Sequence, residues 1–278
     1  YYVIARNEAL TREILDILIH LERKAQARYV SGIAPQQDAI LAQAEQTITR
    51  TDLVNIETER RNWQYRINAL LKRSPDAPLA EPERLRPIPA AEKLVYAALE
   101  ERLKAGHPQL VADAAGITAA KENHQLHYPH PLPHAAHGFT FILNADRRVV
   151  LPGLYYQISI PLQQPRRRSE EREAEEKVAV ANERRDATEN QLEADLAQSI
   201  AALEGSMRTQ NLLRASLVPQ AELSFRSAQT GYEAGRMAFD RQLDAERQIR
   251  KAKLDLLKSE ADTQVRLADI ERLIGEDL

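Results

Sequence analysis

Residues 28–43, RYVSGIAPQQDAILAQ, and residues 231–246, GYEAGRMAFDRQLDAE, are two copies of one pattern. They align without a gap at an offset of 203 residues, and the register continues on both sides of these segments. The paired residues include Tyr29 with Tyr232, Gly32 with Gly235, Ile40 with Leu243, Leu10 with Leu213 and Ile67 with Ile270. A gapless repeat of this length indicates that one structural unit occurs twice in the chain.

Each copy predicts a helix, a turn at the glycine and a second long helix, which together form a helical hairpin with its tip at Gly32 or Gly235. Pro35, directly after the first turn, suits the opening of a helix. The chain then runs without proline over residues 166–218 and again after Pro219, and such stretches permit long helices. A helix of 53 residues extends roughly 80 Å, so these helices must pack side by side.

Apolar residues in three stretches recur with the alternating spacing of three and four residues that is typical of paired helices. The predicted seams are Ile14, Leu18, Leu21 and Ala25; Leu53, Ile56, Arg60, Trp63, Ile67 and Leu70; and Leu254, Leu257, Ala261, Val265 and Ala268. A dimerising coiled coil would explain this spacing equally well. Such a coiled coil would not, however, require the internal repeat at an offset of 203 residues.

Two segments alternate with a period of two residues instead. Residues 137–144 (HGFTFILN) and 154–162 (LYYQISIPL) carry aromatic and β-branched residues at every second position, which predicts two strands. The loop between them is predicted to contain residues 146–148 and Pro152-Gly153. Because two strands alone are unstable in water, this β-hairpin is expected to join a larger sheet.

Composition excludes several classes of protein. The chain has no Cys, which excludes disulfides, thiolate metal sites and a cysteine nucleophile. Its 38 basic and 41 acidic residues are nearly balanced, so no nucleic-acid partner is expected. The sequence contains no apolar run of the length of a transmembrane helix. It also contains no phosphate loop, nucleophile elbow or catalytic carboxylate pair, so we predict no enzyme and no cofactor.

The chain is predicted to divide at its proline-rich segments. The expected parts are a first helical hairpin (1–73), a Pro-rich linker (74–92), a connecting helix with a His-rich lead-in (93–136), a β-hairpin (137–162) and a second helical hairpin (163–278). The repeat further predicts that a second strand pair and much of a long helix precede Tyr1. We therefore expect the chain to be N-terminally shortened.

The order of these segments resembles the TolC-type outer membrane factors, the exit ducts of bacterial tripartite efflux pumps. The resemblance rests on both tip segments, on INALLKRSPDAPL (67–79), on HPQLVADAAGITAAKENHQLHYP (107–129) and on DIERLIG (269–275). It implies a mainly α fold with two long antiparallel coiled-coil hairpins and a small β-hairpin that contributes to a trimeric β-barrel. It also implies that the Pro-rich linker lies near the equator of a periplasmic helical tunnel.

The resemblance implies a function and partners as well. The expected role is the outer membrane channel of a tripartite efflux system, with most of the chain in the periplasm. It would export metal cations or small toxic compounds, and the His-rich segment agrees with the heavy-metal branch. The implied partners are two further copies in a homotrimer, a periplasmic adaptor (membrane fusion) protein, an inner membrane pump reached through the adaptor, and outer membrane lipid.

Carried over by position, the resemblance assigns functional residues to the tips. The positions implied to dock the adaptor are Tyr29, Gly32, Ile33, Ala34, Tyr232, Ala234 and Gly235. A hydrogen bond between Asp38 and Tyr232 is implied to latch one hairpin to the other, and Asp244 is implied to belong to an acidic ring at the entrance. Arg241 and Met237 depart from the family pattern, which has an acidic residue and an Arg there. Alternatively, Asp38 is a solvated residue that the helix dipole favours in a first turn.

Five histidines follow one another at spacings of three or four residues. They are His124, His127, His130, His134 and His137. Imidazole is a common ligand of zinc and copper, so these residues are weak candidates for transient metal contact, although Pro129, Pro131 and Pro133 forbid a regular helix there. A polar loop is the alternative. For the chain as a whole, a soluble coiled-coil scaffold, a periplasmic adaptor protein and a His-based metalloprotein remain as alternatives to the efflux duct.

Overall fold

The computed structural model describes residues 1–127, 134–144, 149–159 and 164–278, most of which are helical. Its helices are α1 (Tyr2–Val30), α2 (Gln36–Leu70), α3 (Tyr96–Gly106), α4 (Pro108–His127), α5 (Gln164–Leu212), α6 (Val218–Glu233) and α7 (Phe239–Ile274). Its strands are β1 (His134–Asn144) and β2 (Val149–Ser159). No helix within the described ranges combines the length and the apolar character that crossing a membrane requires. The chain divides into two compact units, Tyr1–Leu99 with Leu196–Leu278, and Glu100–Asp195.

The first unit contains two antiparallel helical hairpins. α1 packs on α2 around the turn at Gly32, α6 packs on α7 around the turn at Gly235, and α7 also contacts α1 and α2. The predicted mainly α fold with two helical hairpins and a small β-hairpin is confirmed. The predicted seam of α1 is correct as well, since its four residues are all at most 3 % exposed. They form one apolar cluster with Ala39, Ala42, Tyr232, Phe239 and Leu243.

The predicted seams of α2 and α7 are partly wrong. In α2, Ile56 is buried, but Trp63 is 40 % and Leu70 is 85 % exposed. The helix instead turns Asn68 inward, where the side-chain amide donates to the carbonyls of Pro75 and Ala77, each at 2.8 Å. In α7 from residue 254 onward the buried residues are Leu257, Thr263, Leu267, Ile270, Leu273 and Ile274, whereas Val265 is 55 % exposed. The spacing predicted the helices correctly, but their buried faces include polar residues such as Asn68 and Thr263 that the apolar pattern did not indicate.

The Pro-rich linker between α2 and α3 crosses the first unit as an extended strap with one short 3₁₀ turn at Ala91–Leu94. Arg60 of α2 forms ion pairs with Glu81 of the linker and, at 2.8 Å, with Glu8 of α1. Further along, both carboxylate oxygens of Glu271 in α7 lie 2.6 Å from Nη2 of Arg86. The strap therefore ties both hairpins together at the ends remote from their tip glycines.

Pro219 interrupts an otherwise continuous helical run between α5 and α6. Residues Leu213–Leu217 form a single π turn directly before it. Proline lacks an amide hydrogen and its ring clashes with the preceding turn, so a wider π turn accommodates it without ending the run.

The second unit packs α3 and α4 against the first part of α5. Leu103, Leu110, Ile117 and Leu192 are buried there. Lys104 binds Glu100, Glu189 and Glu193 at 2.7, 3.4 and 2.5 Å, so one ammonium group neutralises carboxylates of two helices.

The strand pair of this unit is antiparallel and runs from the pair His134 and Ser159 to the pair Asn144 and Val149. β1 begins three residues before the predicted start. Pro152 and Gly153 were predicted in the loop, but they lie inside β2, opposite Phe141 and Thr140. A two-stranded ribbon leaves one edge of each strand unpaired, which is where proline is tolerated. The predicted loop residues 146–148 and the predicted strand residues 160–162 lie outside the described residues.

Candidate functional site: the paired hairpin tips

Both tips end their first helix in the same way. Gly32 has φ 70° and Gly235 has φ 69°, the left-handed conformation that favours glycine. In the first tip the amide of Ile33 donates to the carbonyl of Arg28 at 2.8 Å, and in the second the amide of Arg236 donates to the carbonyl of Gly231, also at 2.8 Å. This bonding pattern is a Schellman turn, so the repeat in sequence is a repeat of backbone structure.

A hydrogen bond joins the two hairpins just behind these turns. The hydroxyl of Tyr232, at the end of α6, donates to Oδ2 of Asp38, in the first turn of α2, at 3.0 Å. This is the pair that the resemblance implied as a latch. The contact is present in the structure, while its role in gating remains a prediction.

The ring of Tyr232 is held from two further directions. It is only 4 % exposed, lies 5.1 Å from the ring of Phe239 and has the guanidinium of Arg28 4.7 Å above its centroid. Burial, with the Asp38 carboxylate second, raises the pKa of Tyr232 to about 12. The phenol therefore stays protonated at physiological pH and acts as a hydrogen-bond donor.

The outer surface of the tips is apolar. Val30 is 76 % exposed, Ile33 is 65 % and Tyr29 is 40 %, and Met237 of the second tip is 37 % exposed. Ala234 and Gly235 are exposed beside them. Several exposed aliphatic and aromatic side chains close together in the two tips favour a protein partner.

Asp244 is the residue that the resemblance implied for the acidic ring, and its carboxylate already has a hydrogen-bond partner. Asp244 lies one turn into α7 and accepts a hydrogen bond from Arg247 at 3.2 Å. Arg241 donates only its backbone amide, to Asp240, and its side chain is exposed. The basic residues beside Asp244 reduce the negative charge at this end of the chain.

Sequence reasoning missed a layer of buried polar residues between the hairpins. Glu45 of α2 binds Arg247 and, at 3.6 Å, Arg250 of α7. Glu246 is fully buried, and neither of its carboxylate oxygens has a hydrogen-bond partner within the described part of the chain. Burial raises the pKa of Glu246 to about 7. The sequence did contain a signal for the burial of Glu246, because this residue occupies a seam position between Leu243 and Ile249.

The candidate histidines do not converge in the structure. His124 and His127 lie in α4, whereas His134 and His137 lie in β1. His130 lies outside the described residues. Over the described ranges, no group of three or more potential metal-ligating side chains is found. The spacing of three or four residues therefore does not place these histidines on one helix, because His127 lies in a helix and His134 in a strand.

Comparison with known proteins gives one family match. Residues 145–276 match the family described as outer membrane efflux protein. No curated protein matches the chain.

Solved structures match over nearly all of it. The outer membrane protein VceC of Vibrio cholerae is 16 % identical with a TM-score of 0.81, covering 99 % of this chain and 67 % of VceC. A membrane protein from Pseudomonas aeruginosa is 21 % identical with a TM-score of 0.74, covering 100 % of this chain and 64 % of that protein. The open state of the MtrE outer membrane channel of Neisseria gonorrhoeae is 15 % identical with a TM-score of 0.69, covering 99 % and 65 %. The chain thus spans about two thirds of the length of these structures.

Proposed function

We propose that this chain is the outer membrane component of an efflux system. The proposal rests on its relation to the TolC-type outer membrane channels, through the family match of residues 145–276 and through its fold. The matched family consists of efflux proteins rather than enzymes. The observation that carries the proposal is the hydrogen bond between Tyr232 and Asp38. It joins the ends of the two hairpins beside the contacts that Lys24 and Arg28 make with Glu233, and a few polar side-chain contacts of this kind suit a passage that can open and close.

The tips are the proposed docking surface for a periplasmic adaptor protein. Support comes from the exposed side chains of Tyr29, Val30 and Ile33, which are 40 %, 76 % and 65 % exposed. The second tip adds Ala234 and Gly235. Through the adaptor, the channel would receive substrate from an inner membrane pump.

The strand pair is the proposed membrane-embedded part. Its register places Phe139, Phe141, Leu154 and Tyr156 on one face, all at least 65 % exposed. The opposite face carries Gly138, Thr140, Gly153 and Gln157 together with Tyr155, whose ring lies over Gly138. A face of exposed apolar side chains opposite a face that includes small and polar residues suits strands that contact lipid on one side only. A homotrimer would supply further strands and close a helical passage in the periplasm.

The exported substrates are proposed to be metal cations or small toxic compounds. A soluble scaffold or an adaptor would need no strand pair with an exposed aromatic face, so the channel is the better interpretation.

A deletion strain tests the function. Loss of the gene is expected to lower the minimal inhibitory concentrations of metal salts or of small toxic compounds by several fold, and the complete gene should restore them. A strain with unchanged resistance to both sets of compounds would contradict the proposal. The pattern of sensitivities would also identify the class of substrate.

A further inference from the structure

The first helix of one hairpin reaches across to the last helical turn of the other. A groove of about 390 Å³ separates α1 from α6 along their length, lined by Ile17, His20, Phe225 and Gln229. Near the tips this gap is bridged by side chains of α1. Lys24 forms an ion pair with Glu233, and Arg28 lies one turn further toward the tip.

Arg28 makes two different contacts with the end of α6. Its Nη1 donates to the backbone carbonyl of Glu233 at 3.0 Å, and its guanidinium lies over the ring of Tyr232. Glu233 is the last residue of α6, and its carbonyl is one of the terminal acceptors that have no partner inside the helix. A cation at this position also complements the negative end of the helix dipole.

The backbone of Arg28 belongs to the first tip. Its carbonyl accepts hydrogen bonds from the amides of Ile33 at 2.8 Å and Ala34 at 3.3 Å, which close the turn at Gly32. A single residue is therefore fixed in the turn of one hairpin and bound to the helix end of the other.

Comparison of the two copies of the repeat shows that only the first hairpin carries a side chain that can form this bridge. The position equivalent to Arg28 in the second copy is Gly231, which has no side chain. A Cβ added there would lie 3.1 Å from Cβ of Met237. The second hairpin therefore cannot offer the same contact to a neighbour on its other side.

We propose that Arg28 is a positioning residue of the latch, which holds the end of α6 and the ring of Tyr232 so that the hydroxyl reaches Asp38. The inference rests on the proposed function, because it concerns the closed state of a channel. It extends the latch from a bond between two residues to a junction of α1, α2 and α6. Lys cannot replace Arg28, because only a planar guanidinium can stack on a ring and donate in its own plane at once.

The complete protein in planar lipid bilayers tests this inference by its resting open probability. Arg28→Gln and Arg28→Lys are each expected to raise that probability about tenfold, given the strength of a desolvated cation–π contact together with a charged hydrogen bond. Tyr232→Phe should have a comparable effect. The control on α1 is Arg23→Gln, at an exposed position, which should behave like the wild type.

A second measurement reports on Tyr232 itself. Arg28 lowers the pKa of Tyr232 against the larger effects of burial and of Asp38, so its loss should raise that pKa. With ¹³C-labelled tyrosine, the Tyr232 ring resonance should shift in Arg28→Gln and stay in place in Arg23→Gln. Circular dichroism should show unchanged helix content in both variants.

The outcomes separate this inference from the function on which it rests. A leaking Tyr232→Phe channel beside a tight Arg28→Gln channel would overturn the role of Arg28 and leave the channel function intact. Equal leakage from Arg28→Gln and Arg23→Gln would also overturn it, since the effect would then follow net charge. If the wild-type protein forms no pore, both proposals fail.

Discussion

At the residue scale, the tip glycines act through their backbone torsions and not through packing. Among the described residues, no atom lies within 4 Å of a Cβ added at Gly32, and at Gly235 only Nη2 of Arg28 does, at 3.7 Å. A side chain would therefore fit in space, but the positive φ would be strained.

Gly32→Val and Gly235→Val are each expected to lower the free energy of unfolding by about 1–2 kcal/mol while leaving the helices intact. Efflux should fall much more than stability, because the altered turn displaces the exposed side chains that are proposed to meet the adaptor. Resistance assays and urea titration measure the two effects. Gly205→Ala, in the open middle of α5, is the control and should be neutral or stabilising. Normal export by both tip variants would show that the tips are only turns.

Tyr232→Phe removes the donor of the latch while keeping the ring that packs on Phe239. A hydrogen bond to a charged group contributes roughly 1.5–3 kcal/mol, so resting conductance should rise about tenfold or more with little change in folding. Asp38→Ala should have the same effect. The double variant should leak no more than either single one, and additive leakage would show that the two residues act separately.

At the element scale, the seam between α7 and α2 contains a carboxyl group that titrates near neutral pH. Burial is the main cause that raises the pKa of Glu246 to about 7; Arg250 and Arg247 offset part of the rise and Glu45 adds to it. On unfolding, the pKa returns to its ordinary value near 4.5. The folded state thus binds more protons than the unfolded state between these two values, and stability falls as pH rises through this window.

Glu246 does not lower the free energy of unfolding below pH 4.5, where it is protonated in both states. Above pH 7, where the buried carboxylate is ionised, it lowers the free energy of unfolding by up to about 3 kcal/mol. Glu246→Gln should remove this cost, so the variant gains stability over the wild type at pH 8 and not at pH 4.5. Urea titrations at both pH values measure the difference. Glu57→Gln, at an exposed position of α2, should leave the pH dependence unchanged. A wild-type stability that rises from pH 5 to pH 7.5, with no change of slope in Glu246→Gln, would contradict this assignment.

The same seam shows how far sequence alone could lead. The repeat located both hairpin turns at the right glycines, because a positive φ leaves a strong sequence signal. Spacing predicted the helices, but it misplaced Trp63 and Leu70 in the core, because a pattern of apolar residues gives no signal for the buried Asn68, whose amide donates to linker carbonyls. Arg28 could not be foreseen as a bridge, because its partners lie more than 200 positions along the chain.

At the scale of the whole molecule, the strand pair exposes more large apolar side chains than its own unit can cover. Phe139 is 79 % and Leu154 is 73 % exposed, and they stand opposite each other on one face. On the other face the ring of Tyr155 covers Gly138, where an added Cβ would lie 2.6 Å from Cε1. The two faces therefore suit different surroundings. Substitutions at the neighbouring residues Phe139 and Thr140, which lie on opposite faces, can test this difference.

Phe139→Arg should prevent insertion, because a charge on a lipid-facing position near the middle of the bilayer costs about 2–4 kcal/mol per protomer. Thr140→Arg places the same charge one residue later on the opposite face and should be tolerated. We expect the complete protein with Phe139→Arg to be depleted from the outer membrane fraction, and the protein with Thr140→Arg to remain there at the wild-type level. Depletion by both variants would indicate that any charge in β1 disrupts folding. Retention of both would mean that the aromatic face does not contact lipid, and the proposed membrane placement of the strand pair would be wrong.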